Sequence, residues 1–71
     1  MAIMASKIAV KNRSQQVIGW EEAQNDGTIK VYDARQRFLG HTDSRQQKTF
    51  DANGRVVAYI ADPGMLLNNL G

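Results

Sequence analysis

Seventy-one residues carrying a net charge of +2 and a pI near 9.3 make one small, mildly basic domain, residues 1–71. The chain has no cysteine and a single histidine, which excludes disulfides, thiolate metal sites and a zinc centre built from histidines. The apolar start, Met1-Ala2-Ile3-Met4, is broken by Ser6 and Lys7, too short for a secretory core or a membrane span, so a cytoplasmic protein without membrane contact is expected.

Residues 7–11 read Lys-Ile-Ala-Val-Lys. Ile8 and Val10 alternate with small or polar neighbours, the period-2 pattern of a half-buried strand. Asn12-Arg13-Ser14-Gln15 is polar and turn-like, and Val17-Ile18-Gly19-Trp20 returns, so residues 7–20 read as a hairpin. Residues 21–27 read as a loop. Asn25-Asp26-Gly27 is a turn signal, and Glu21-Glu22-Ala23-Gln24 is too short for a stable helix. Thr28-Ile29-Lys30-Val31-Tyr32 is the cleanest strand; Asp33-Ala34-Arg35-Gln36 turns it, completing a hairpin over 28–42. A third hairpin spans 47–61. Its turn, Asp51-Ala52-Asn53-Gly54, suits a type I′ turn or a bulged turn with Gly54 left-handed, and residues 56–60 return. Asp62-Pro63-Gly64 stops the sheet. The tail, 62–71, ends in the apolar Met65, Leu66, Leu67 and Leu70, expected to cover an open end of the sheet or to enter a neighbouring subunit.

The three hairpins align without gaps. Val10, Val31 and Thr49 begin equivalent stretches, 21 and then 18 residues apart, each unit too short to fold alone. Asn12, Asp33 and Asp51 share the position where a short polar side chain bonds backbone N–H groups two residues on. Val17-Ile18, Phe38-Leu39 and Val56-Val57 are apolar in every unit and are assigned to the core. Gly19, Gly40 and Ala58 are small in every unit, as close backbone approach requires. Trp20, His41 and Tyr59 are rings in every unit. They are either space-filling aromatics or a shallow ligand or partner surface, with His41 its group titrating near neutral pH.

Chemistry-bearing motifs are few. The sequence holds no Gly-rich phosphate loop, no paired metal-ligand motif and no cysteine nucleophile; Ser14 and Ser44 sit in polar turns without a neighbouring base, and His41, Asp43 and Ser44 carry no triad context. A non-enzyme without cofactor is expected.

Tyr32-Asp33-Ala34-Arg35 with Arg37, and Phe50-Asp51-Ala52-Asn53-Gly54-Arg55, resemble the YD-repeat pattern. The same stretches more closely resemble the short bacterial β-flower domains, in which consecutive β-hairpins surround a pseudo-symmetry axis. The resemblance covers residues 28–62 well and 7–20 poorly, where Lys11 and Asn12 replace the aromatic–aspartate pair. It implies a fold and no activity.

The resulting expectation is an all-β domain of three consecutive β-hairpins in pseudo-threefold arrangement, closed by the short apolar tail. A chain this short buries only about 60% of its unfolded surface, against an ordering cost on the order of 100 kcal/mol. Self-association, most simply as a symmetric homodimer, is the expected source of further burial. The expected function is a small non-catalytic module acting through protein–protein contacts. The alternative is single-stranded nucleic-acid binding, with Arg35, Arg37 and Arg55 on phosphates and Trp20 or Tyr59 stacking on bases.

Overall fold

A computed structural model describes residues 6–68. Six strands, β1 (Ser6–Lys11), β2 (Val17–Ala23), β3 (Thr28–Asp33), β4 (Phe38–Asp43), β5 (Lys48–Asp51) and β6 (Val56–Ala58), precede one short helix, α1 (Gly64–Asn68). All six form a single antiparallel sheet in chain order. The fold is thus mostly β, and the hairpins are not separate petals. The second strand of each pairs with the first strand of the next.

The three turns are built alike, bond for bond. Asn12, Asp33 and Asp51 each accept, at Oδ1, the N–H groups two and four residues on. Each also accepts, at its carbonyl, the N–H of Gln15, Gln36 or Gly54. That last residue is left-handed every time, with φ of 65°, 71° and 84°. Gly54 takes this conformation at no steric cost, whereas Gln15 and Gln36 take it with a Cβ present, a cost of about 1–2 kcal/mol each that the side-chain cap must offset. Of the two turns expected at residues 51–54, the bulged form is the one observed.

Register repeats as well. Val10 lies opposite Gly19 and Lys11 opposite Val17; Val31 opposite Gly40 and Tyr32 opposite Phe38; Thr49 opposite Ala58 and Phe50 opposite Val56. Each hairpin therefore carries one bulge, leaving Ile18, Leu39 and Val57 as the extra residue. This corrects the assignment of all three apolar pairs to the core. With the bulge absorbing the second residue, Val17, Phe38 and Val56 fall opposite Lys11, Tyr32 and Phe50 and stay exposed. Leu39 does pack on the core; Val57 does not. The junctions between hairpins match too: Gly19, Trp20 and Glu21 face Asp33, Tyr32 and Val31, as Gly40, His41 and Thr42 face Asp51, Phe50 and Thr49.

Residues 21–23, read from sequence as loop, continue β2. Two glutamates have poor β propensity, but Glu22 lies between Lys7 on β1 and Lys30 on β3. Its carboxylate accepts the Tyr32 hydroxyl at 3.1 Å, a side-chain bond that ties this end of β2 to β3. The third return strand is shorter than expected and ends at Ala58. Thr49, wholly buried, donates its hydroxyl to the Ile60 carbonyl at 2.6 Å and accepts the Asp62 N–H at 3.1 Å. These two bonds turn the chain off the sheet edge and aim it across one face.

Proline 63 and Gly64 then open α1, which lies over β3 and β4. Val31, Leu66 and Leu67 form the buried core, with Val10, Ile29 and Leu39 packed around them. Of the two places expected for the tail, the structure takes the chain's own sheet. Leu67 fits where Gly19 has no side chain: a Cβ there would run into the leucine's Cδ2 and lie 2.6 Å from the Tyr32 carbonyl. Met65 is half-buried, and Leu70 lies outside the described residues.

Candidate binding face

Residues directly opposite in an antiparallel pair project to the same side of the sheet. Val31, Gly19, Gly40, Thr42 and Thr49 belong to the helix-covered side. The other side is uncovered by α1. One row across it reads Lys7, Glu22, Lys30, His41, Phe50; the adjacent row reads Ala9, Trp20, Tyr32, Phe38. Of the three rings singled out by the repeat, Trp20 and His41 share this face. Tyr59 follows β6 and is exposed, its ring 6.0 Å from the ammonium of Lys48, which sits two residues before Phe50 on the same side.

The ring contacts bring in Tyr32, Phe38 and Phe50, which the ring column of the repeat does not contain. His41 stacks on Phe50 at 4.6 Å between centroids and 10° between planes. Tyr32 meets Phe38 at 5.8 Å, tilted by 60°. Lys7 Nζ lies 4.5 Å over the Tyr32 ring and donates to Gln36 Oε1 at 3.0 Å. Such a cation–π contact is worth about 0.5–1 kcal/mol where solvent reaches it. The Tyr32 hydroxyl donates to Glu22 at 3.1 Å; burial first, and then this bond, raise the phenol above its ordinary value. The indole N–H of Trp20 is buried and has no acceptor among the described residues. Tyr32, Phe38 and Phe50 were findable in the sequence. Tyr32 and Phe50 occupy one aligned position and Phe38 is the cross-strand neighbour of that position in its own hairpin.

Comparison with known proteins finds no matching family, no matching curated protein and no matching solved structure.

The three turns crowd one end of the sheet and carry Arg13, Arg35, Arg37 and Arg55, all exposed. Between the first two turns lies a shallow open groove of about 310 Å³, lined by Val17, Ile18, Asp33, Ala34, Arg35 and Arg37. Asp33 closes its floor. Its Oδ2 accepts from Arg37 Nε at 2.9 Å, the one ion pair among the described residues, and its side chain is only 11% exposed. Both carboxylate oxygens are thus engaged in holding the turn. Among the described residues no three His, Cys, Asp or Glu side chains come together as a metal site, and no helix is long and apolar enough to cross a membrane.

Backbone donation from Arg37 is the main reason the Asp33 carboxyl lies below the ordinary 3.8, with burial opposing it. A lowered folded value means the stabilisation is complete above the ordinary value and is lost as pH falls through the folded one. Asp33→Asn keeps Oδ1, as Asn12 does in the first hairpin, and cannot titrate. We expect the thermal midpoint of the natural chain to fall more steeply than that of Asp33→Asn as pH is lowered from 5 to about 2. Parallel curves would mean that Asp33 titrates alike in the folded and unfolded chains.

Proposed function

We propose that the chain is a small non-catalytic module that acts through protein–protein contacts and self-associates, most simply as a dimer. The observation that carries this is the imbalance of apolar burial. Among the described residues three large hydrophobic side chains are buried, whereas seven are exposed: Ile8, Val17, Phe38, Val56, Val57, Tyr59 and Ile60. At roughly 25 cal/mol per Å² of apolar area removed from water, so small a core leaves a domain of this size short of stabilisation.

The exposed set is concentrated in the last strand and the residues after it. Val57 is 50% exposed, Tyr59 80% and Ile60 53%. An edge strand with apolar neighbours is the part of a sheet that most readily meets a second chain. Leu66 and Leu67 face the chain's own sheet, which favours this edge over the tail for the contact between copies. The matching junctions between successive hairpins support relating the units by one repeated operation, as the pseudo-threefold arrangement requires.

Light scattering over a concentration series tests the proposal. The natural chain is expected to give a mass near twice 7.9 kDa at tens of micromolar. Val57→Lys with Ile60→Lys is expected to give a folded monomer, because substitutions at exposed sites usually change a chain's own stability by less than about 0.5 kcal/mol each. A natural chain that stays monomeric at several hundred micromolar overturns the self-association. A double variant that remains dimeric moves the contact elsewhere.

A further inference from the structure

We propose that the uncovered sheet face binds single-stranded nucleic acid, a second function independent of self-association at the β6 edge. Three observations converge on this face. The first is a set of rings at base-stacking positions. Phe38 is 40% exposed beside Tyr32, and the His41–Phe50 pair lies flat against itself one row away. Bases stack on such rings whatever their sequence, since every base presents a π face.

The second is charge. Lys7, Lys30 and Lys48 stand in or beside the ring rows, and the arginines of the three turns line the adjoining end. A single strand laid across the rows from the connection end to the turn end passes lysines first and arginines last. The third is how the nearby acids are occupied. Asp33 and Asp51 cap backbone N–H groups of their turns, Asp43 accepts from Arg45 and Gln46, and Glu22 accepts from Tyr32. These carboxylates are held inside the fold's own hydrogen bonds, while Lys30 and the turn arginines other than Arg37 project as free cations among the described residues.

A duplex offers phosphates but hides its base faces, so the rings distinguish strand from duplex. The lysines and arginines alone would bind any polyanion. The occupant that uses both is a flexible strand with unstacked bases. Its affinity should fall steeply with salt, with a log–log slope of about −0.7 for each phosphate neutralised.

The test is fluorescence anisotropy with labelled twelve-nucleotide oligo-dT and oligo-U at about 20 mM salt, alongside a duplex of the same length and heparin. Quenching of Trp20, the sole tryptophan, gives an independent signal at the face. We expect both single strands to bind, the duplex at least fivefold more weakly. Phe38→Ala should weaken strand binding at least fivefold without lowering the thermal midpoint by more than a few degrees. Lys30→Glu should weaken it and flatten the salt dependence by about one phosphate. A stronger response to oligo-U than to oligo-dT would assign the natural ligand to RNA, and the reverse to DNA. No binding at low salt overturns the proposal. So does binding that is equal for strand, duplex and heparin and indifferent to Phe38→Ala, which would be charge attraction alone. The monomeric double lysine variant keeps every ring of this face and adds two cations, so it should bind the strand at least as well as the natural chain, and loss of self-association is read separately from loss of strand binding.

Discussion

Replacing Gly40 with alanine is expected to cost more than any other single methyl group added to this chain. Gly40 sits inside β4 at φ 147°, a conformation that residues with a Cβ rarely adopt. A Cβ there would collide with the carbonyl oxygen of Phe50 and lie 3.0 Å from Asp51 Cα. Both obstacles are backbone of β5, so no rotamer change relieves them; the strands must part. Backbone strain of about 1–3 kcal/mol adds to an overpacking cost of about 1–3 kcal/mol. A domain of this length has a total stability of roughly 4–10 kcal/mol. The urea midpoint of Gly40→Ala should therefore fall by about half, or the variant should be unfolded in buffer. Gly54→Ala is the control. It also has positive φ, at 84°, but its added methyl meets nothing within 4 Å, so only the conformational cost of about 1–2 kcal/mol applies. Equal losses for the two variants would show that β4 and β5 do not approach closely at Gly40.

That close approach was legible in sequence, because a small residue recurs at the same place in each unit. So were the turns, since Asn12, Asp33 and Asp51 have side chains short enough to cap the backbone two residues on, and all three do so. Three features stayed hidden for physical reasons. The left-handed glutamines at 15 and 36 contradict local preference, and only the hydrogen bonds of the completed turn hold them there. The bulges at Ile18, Leu39 and Val57 shift which apolar residue faces the core, and register is a property of two strands, not one. Glu21 and Glu22 look like loop until pairing with β3 brings the Tyr32 hydroxyl within a hydrogen bond of Glu22. On the candidate face, the repeat pointed to Trp20 and His41 but passed over Tyr32, Phe38 and Phe50, which become neighbours of those rings only through pairing across hairpins and turns.

Leu67→Ala is expected to destabilise the domain by about 2–5 kcal/mol, the range for truncating a buried leucine whose cavity cannot fully close. Leu67 is 4% exposed, and it seats on the bare backbone at Gly19. Gly19→Ala would add a methyl group into the space its Cδ2 occupies, with the Tyr32 carbonyl 2.6 Å away on the other side. The two residues therefore form a knob and its hole, and they should not behave independently. With Leu67 truncated, the alanine at 19 has only the Tyr32 carbonyl to displace. The double variant should be more stable than the sum of the single losses predicts, by about 0.5–3 kcal/mol. Urea unfolding of the four proteins measures this coupling. Additivity within about 0.5 kcal/mol would mean that α1 does not seat on Gly19. The same series separates the tail from the contact between copies. If Leu67 supports its own chain, the loss in its alanine variant is the same at every protein concentration and the variant's mass in light scattering follows that of the natural chain until it unfolds. If Leu67 joined two chains, the loss would shrink as concentration rose and the mass would halve first. The burial of Leu66 and Leu67 against Val31 supports the former.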